Sequence, residues 1–529
     1  MSAGGDARSR KGQEVKSNRA DGPDRMASSH LTRGQFLSAA AGAAGLLALP
    51  SNAYGYTHPA AGRGSRSGLE AFTANRQRAR SFRSRPDLKP PHVTRGNTPA
   101  GQAGLAEGYS FLGPTAGGGA QAGVLIVDGA GEPVWFSPVA SGKWVANFRA
   151  QQYNGQPVLT WWEGKVLPPG YGQGAGVIMD SSYREIARVR AANGRHADLH
   201  EFLLTPQGTA LITCYPRTVR ANLSRVGGAS NGQVLESIIQ EIDVSTGRLL
   251  LEWRSLEHIP VSDSYVPPGG VYDYIHANSI DLTPDGQLLV SGRSTFALYK
   301  LARRSGRVIW RLGGKRSNFT MGWAARFAWQ HDARQLADSV ITLFDDGAGL
   351  LRTHSHSRGV VLELDTAHRT VRLARAYRHP SPLLTYAMGN MQTLPDGNVI
   401  IGWGNVSLLS EFSPEGSLAG DLWLQAGHDS YRGYRFPWSA TPAELPAIES
   451  SLNTATGNVT LFASWNGATG VSAWQVSLGP SAGALSPMGT APRSGFETAI
   501  PLGTASGYAA VTALDASLRP LASSAPLRI

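Results

Sequence analysis

From about residue 108 to about residue 440 the chain alternates apolar and polar positions in short runs. Tight turns rich in Pro, Asp, Asn and Gly separate the runs, and a helical period is almost absent. Four stretches read as copies of one hairpin: His200-Glu-Phe-Leu-Leu-Thr-Pro-Gln-Gly208, His276-Ala-Asn278-Ser-Ile-Asp-Leu-Thr-Pro-Asp-Gly286, His331-Asp-Ala-Arg-Gln-Leu-Ala-Asp338 and Asn390-Met-Gln-Thr-Leu-Pro-Asp-Gly397, each followed by a second apolar strand. A second series, a turn followed by a strand, interleaves with them at Gly131–Phe136, Asp180–Ala187, Ser245–Trp253, Ser305–Trp310, Thr366–Tyr377 and Ser413–Trp423. Six such units at intervals of about 50–65 residues, with two hairpins each, predict six four-stranded blades. After Pro437 the repeat stops, and residues 441–529 carry short, closely spaced strands in the number expected of an Ig or fibronectin-like sandwich. The expected fold is therefore all-β: a six-bladed β-propeller over 108–440 with a C-terminal Ig/fibronectin-like β-sandwich over 441–529.

The N-terminal part is of another kind. Phe36–Leu49 is an apolar run of signal-peptide length, too short to span a bilayer, with Arg33 before it and a small-residue cleavage site after Ala53. Thr32-Arg33-Gly34-Gln35-Phe36-Leu37 resembles the twin-arginine export consensus, with Gly34 in place of the second arginine. Met26 stands just ahead as an alternative start to Met1. Residues 1–53 are accordingly read as leader and signal peptide. Residues 54–107, rich in Arg, Gly, Ser and Pro, read as an exposed linker in which Ser84–Pro91 forms an extended strap. A secreted or cell-surface protein with no membrane span in its mature chain is expected.

The formal charge of +11 does not alter that picture. Residues 1–100 hold 16 Lys+Arg against 6 Asp+Glu, while the rest hold 33 against 32. The basic surplus belongs to the leader and linker and makes no case for a nucleic-acid partner. The single cysteine, Cys214, excludes an intramolecular disulfide and any Cys-rich metal site, and its apolar surroundings suit a buried thiol.

Equivalent positions of different blades converge on a propeller axis. His200, His276, His331, Asn278 and Asn390 are therefore expected to share one funnel. Asn390, beside Gly389, also fits a turn cap. His196 and His200 are four apart, a metal-ligand spacing only on a helix, and the local pattern is strand, so no metal is expected. Gly170–Gly176 lacks the Lys and Ser/Thr of a phosphate loop and reads as a loop between strands.

Taken in order, Ser84–Pro91, Asp198-Leu-His200-Glu-Phe, His276-Ala-Asn278-Ser, Gln330-His331-Asp-Ala-Arg, Phe344-Asp-Asp-Gly347, Gly389-Asn390-Met-Gln and Ser464–Thr469 resemble the arylsulfotransferase (ASST) family in its actinobacterial and fungal branch. The resemblance implies an exported six-bladed propeller that moves a sulfuryl group from a phenolic sulfate ester to a phenol without a nucleotide sulfate donor and without a cofactor. It implies that His331 matches the histidine that is transiently sulfurylated, that His276 and Asn278 match a His-x-Asn pair, and that Arg293 and His200 match further active-site positions. A neutral imidazole suits an anionic ester, which would repel a carboxylate nucleophile. Arg293 would clamp the sulfuryl oxygens, Asn278 would add a neutral donor, and His200 or His276 would exchange protons with the phenols. Asn390 would contact substrate. The alternative is a non-catalytic extracellular propeller that binds a glycan, aromatic or anionic ligand on the same face.

Overall fold

The computed structural model describes residues 78–96 and 105–529, and every regular element in them longer than three residues is a β-strand. The leader and signal-peptide reading, the Met26 start and the export motif lie outside the described residues. So does the greater part of the linker.

Each of the six turn-and-strand copies folds as a strand: Pro133–Pro138, Glu185–Val189, Leu249–Arg254, Val308–Gly313, Thr370–Tyr377 and Leu418–Leu424. Each ends a run of antiparallel neighbours that follow one another in the chain. Three of these runs gain a further short strand, one of them Val271–Tyr272 beside Gln233–Val234. Val93–Arg95 pairs with Leu422–Leu424, and Thr320–Met321 lies parallel to Thr370–Val371. The four hairpin copies fold as expected and a fifth joins them, Trp144–Tyr153 with Gln156–Leu167, turning at Asn154-Gly155. One strand closes the series out of order: Ser430–Phe436 returns to pair with Tyr109–Pro114.

Alternation along each strand turns its apolar positions onto the neighbouring sheets, so the core is divided into clusters between successive sheets. Leu211, Val234 and Ile239 pack against Ile280, Leu288 and Tyr299, and Leu289 and Leu298 pack against Ile341 and Val360. Leu112 and Leu125 near the start pack against Leu409 and Leu422 near the end. Cys214 is buried in one such cluster, and burial pushes its thiol up.

Two expectations need revision. Gly170–Gly176 is not a loop: Tyr171–Met179 is a strand paired with Gln156–Leu167. Its glycines admit bulky neighbours, since a Cβ at Gly172 would run into Trp162 and one at Gly176 into Phe202. The linker is not exposed throughout, because Phe82, Leu88 and Val93 are buried, with the Phe82 ring 4.2 Å from that of Phe496. The strap is bonded at both ends, by Ser84 to Glu497 at 2.6 Å and by the Lys89 N–H to Gln121 at 2.7 Å, and Arg80 just ahead of it binds Glu132. The loop histidine His354 is tied down as well. Its Nδ1 lies 3.0 Å from Asp345.

Residues 447–528 form a three-stranded and a five-stranded sheet around Leu461, Trp474 and Val511. They meet the preceding sheets at Asn466, whose side chain exchanges two hydrogen bonds with the Phe136 backbone, each 2.9 Å.

Candidate functional site

The first strands of successive hairpins carry the candidate residues, and their ladders are irregular where those residues sit. Register shifts fall between Ala146 and Arg149, Ala277 and Ser279, and His331 and Arg334. Positive φ angles occur at Asn147, His276 and Asp332. Such bulges turn a side chain away from the regular pleat, and they collect beside functional centres.

His200 and His276 meet edge to face with ring centroids 4.7 Å apart. The Tyr171 ring packs on both, at 5.2 Å and 4.9 Å, and Tyr431 lies 5.8 Å from His200. His331 is close enough to both imidazoles for a charge on either to disfavour its own. All three rings have an aspartate at Nδ1: Asp198 at 2.5 Å for His200, Asp273 at 2.6 Å for His276 and Asp346 at 2.7 Å for His331. Tyr171 also donates to Asp273, at 2.8 Å.

Burial is the main influence on the titration of this group. It pushes His331 well below the usual imidazole range, and Arg293, His276 and His200 push the same way. Burial lowers His276 as well, against the opposing pull of Asp273. Burial would raise the Asp273 carboxyl, but His276, Tyr171 and Arg293 outweigh it and hold it below its ordinary value. Tyr171 and Tyr431 are pushed up by burial and stay protonated.

Arg293 reaches this group as a cation over the Trp329 ring, 4.7 Å from its centroid, and donates to the Tyr386 carbonyl at 2.7 Å. The same short segment touches the nucleophile candidate, where the Met388 N–H donates to His331 Nε2 at 3.3 Å. His331 is 2% exposed and His276 9% exposed, so residues 385–388 cover the group.

The two asparagines are placed otherwise than expected. Asn278 is fully buried and its Nδ2 donates to the Gln330 carbonyl at 2.8 Å, bracing the neighbouring strand. Asn390 donates to the Gly433 carbonyl and accepts from the Gly433 N–H, both at 2.8 Å. Asn147 makes the same kind of bond to the Leu199 carbonyl, at 2.6 Å. Asn390 has no amide hydrogen bond toward a ligand, and Asn278 keeps only Oδ1 unpartnered. The position that aligns these residues with the histidines in sequence holds strand-to-strand braces where the side chain is a carboxamide.

Beneath the histidines lies an ionic cluster that the sequence did not disclose. Glu201 accepts from Arg149 at 2.8 Å, Arg334 at 2.6 Å and Arg432 at 3.2 Å, while Arg334 also binds Asp332 at 2.5 Å. These cations outweigh burial and hold the Glu201 carboxyl far below its usual range. Arg432 donates to the backbone carbonyls of His200 and Asn278, fixing both strands. The one available signal was that Glu201 and Asp332 each follow a candidate histidine directly in sequence.

The model of the family described as Arylsulfotransferase (ASST) matches residues 149–423, a span that holds every candidate residue. The chain belongs to the arylsulfotransferase (ASST) family. Membership supports sulfotransferase activity in general, on small-molecule donors and acceptors. Among curated proteins, no match is found for this arylsulfotransferase family member. Solved structures similar to it include a protein of unknown function from Bacteroides caccae, with 14% identity, TM-score 0.37 and coverage of 62% of this chain and 98% of that one. Another is virginiamycin B lyase from Staphylococcus aureus in a form with quinupristin, with 10% identity, TM-score 0.33 and coverage of 71% and 96%. Likenesses this distant add nothing to the family assignment. No helix among the described residues is long and apolar enough to cross a membrane.

Proposed function

We propose that the scaffold is a six-bladed β-propeller followed by a β-sandwich, and that it moves a sulfuryl group from a phenolic sulfate ester to a phenol through a sulfo-histidine at His331, with no nucleotide donor. The scaffold reading is supported by the six repeated strand runs, the apolar clusters between them and the return of Ser430–Phe436 to Tyr109–Pro114. The apolar run Phe36–Leu49 supports export of the mature chain to the cell surface or beyond.

The function rests on one observation: His200 and His276 lie ring to ring, and the short segment 386–388 is bonded to both Arg293 and His331 Nε2. Sulfuryl transfer, like phosphoryl transfer, has a loose in-line transition state with charge on the equatorial oxygens, so positioning and fixed cations supply most of the catalysis. His331 Nε2 forms a bond to sulfur as the ester S–O bond breaks, its electron pair leaving on the aryl oxygen. His200 or His276, whose rings lie 4.7 Å apart, gives a proton to the departing phenolate and takes one back from the acceptor. The acceptor oxygen then attacks sulfur, and the N–S pair returns to Nε2. Arg293 holds the sulfuryl oxygens once it releases the Tyr386 carbonyl.

The test is purified protein with a chromogenic aryl sulfate and a phenol acceptor. Acceptor-dependent release of the chromophore is expected, together with a one-sulfuryl mass gain on donor alone that acid reverses. Undiminished release in His331→Ala would sink the reading. A ligand-binding propeller would show neither release nor adduct.

A further inference from the structure

The role given to His331 requires a lone pair on Nε2 and therefore the proton on Nδ1. In water a neutral imidazole is free to take either tautomer, and the hydrogen bond made by the other nitrogen decides between them. Two contacts act on this ring. The Met388 N–H points at Nε2 from 3.3 Å, which makes Nε2 the acceptor. Asp346 Oδ2 lies 2.7 Å from Nδ1, with both side chains buried, which makes Nδ1 the donor. The Met388 contact cannot persist during the reaction, since it occupies the electron pair that must bond to sulfur. Once the segment withdraws, only Asp346 is left to hold the proton on Nδ1.

We propose that Asp346, the second aspartate of Phe344-Asp-Asp-Gly347, is the positioning residue of the nucleophile: it fixes His331 as the Nδ1–H tautomer and offsets the positive charge the ring gains when Nε2 bonds to sulfur. This inference rests on the transferase reading above. Asp346 is itself held by two hydroxyl groups that are bonded to each other. The Thr385 hydroxyl lies 3.3 Å from Oδ1, Ser357 donates to the Asp346 carbonyl at 2.6 Å, and Ser357 and Thr385 share a 3.0 Å hydrogen bond. Its neighbour Asp345 is already spent on Arg358 at 2.9 Å and on the Ala328 N–H at 3.0 Å, and so cannot replace it. Burial, against the pull of Arg293, raises the Asp346 carboxyl well above its ordinary range, which makes the carboxylate a stronger acceptor for the Nδ1–H that lies 2.7 Å away. The charge passes without loss of balance. As the N–S bond forms and the S–O bond breaks, the imidazolium keeps its Nδ1–H in the bond to Asp346, and the proton is still there when the acceptor regenerates the neutral ring.

The experiment compares full-length wild type with Asp346→Ala and Asp346→Asn. Imidazole nitrogen shifts are read by NMR with a non-transferable aryl sulfonate bound, which displaces the Met388 contact, and the His331 ring is assigned by its loss in His331→Ala. Sulfuryl uptake from p-nitrophenyl sulfate is followed by intact mass. Wild type is expected to show His331 protonated at Nδ1. Asp346→Ala should lose that signature and take up sulfuryl at least about a hundredfold more slowly, the scale set by removing the carboxylate behind a catalytic histidine. Asp346→Asn keeps its oxygen on the Thr385 hydroxyl and turns its amide N–H toward Nδ1, which then has to accept and leaves the proton on Nε2. It should show the Nε2–H tautomer and lose uptake as Asp346→Ala does while its urea unfolding matches wild type, which a folding defect would not produce. An unchanged His331 tautomer in Asp346→Ala, or uptake within threefold of wild type, overturns the inference. If wild type itself takes up no sulfuryl group, the transferase reading fails, and the nitrogen shifts still decide whether Asp346 sets the tautomer.

Discussion

His331 can attack sulfur only as the free base, so the pH at which its ring charges sets the acid limit of the reaction. Burial and the neighbouring cation Arg293 both disfavour the imidazolium, which places the folded-state pKa well below the ordinary 6.5. The sign is plain: the active form persists as pH falls through 6.5 and is lost only further down. Sulfuryl uptake from donor alone should therefore stay flat across that region, and stopped-flow measurement from alkaline to acidic buffer checks it. Arg293→Gln removes one cause of the depression, so its acid limb should move to higher pH while its rate drops. An unmoved limb would separate Arg293 from His331. At this scale the sequence disclosed the histidines and Arg293 but not their partners. Asp198, Asp273 and Asp346 sit two or three positions from a histidine or in a turn, where aspartate is ordinary. Arg432 meets Glu201 from 231 residues away, a distance no local pattern spans.

Strand hairpins were legible because alternation and Asp-Gly turns are local, and the fifth copy escaped notice because it turns at Asn154-Gly155 and its first strand carries no histidine. What the frame could not tell is which way a side chain faces once a bulge has shifted it. That leaves a clear difference between two residues of one strand start. Asn278→Ala removes the donor to the buried Gln330 carbonyl, a loss of about 1–3 kcal/mol for an unsatisfied backbone group. Urea unfolding should register that loss while sulfuryl uptake per folded molecule changes little. His276→Ala should do the reverse. The segment 385–388 presents a second consequence at this scale, because it binds Asp346, Arg293 and His331 Nε2 through consecutive groups. Substrate must displace it. Hydrogen exchange of a peptide covering Met388 should therefore quicken when a non-transferable aryl sulfonate binds, since the amide loses its acceptor. Exchange that slows or stays constant would mean that sulfur reaches His331 by another approach.

For the molecule as a whole, the site and the C-terminal sheets are separate in their contacts, and that separation can be measured. The candidate residues end at Asn390 and the ionic cluster at Arg432, whereas the later sheets touch the outer strand Pro133–Pro138 and the turn at Tyr183. Tyr183 donates to the Gly467 carbonyl at 2.8 Å, accepts from Trp438 at 3.1 Å and stacks on Trp135 with centroids 4.6 Å apart. Gly467 adopts a φ of +99°, and a Cβ there would run into the Tyr183 ring. Gly467→Ala thus combines an unfavourable backbone conformation with a collision at this seam, a cost of about 1–3 kcal/mol. The sheets on either side keep their own cores around Val124 and Phe148 and around Leu461 and Val511, so the damage should stay at the seam. Calorimetry is expected to show a lowered or split unfolding transition, and the turnover number below that transition should match wild type. Loss of turnover in step with the seam would instead tie the C-terminal sheets to catalysis, through the strand Tyr109–Pro114 and its partner Ser430–Phe436, which carries Arg432 into the cluster beneath the histidines.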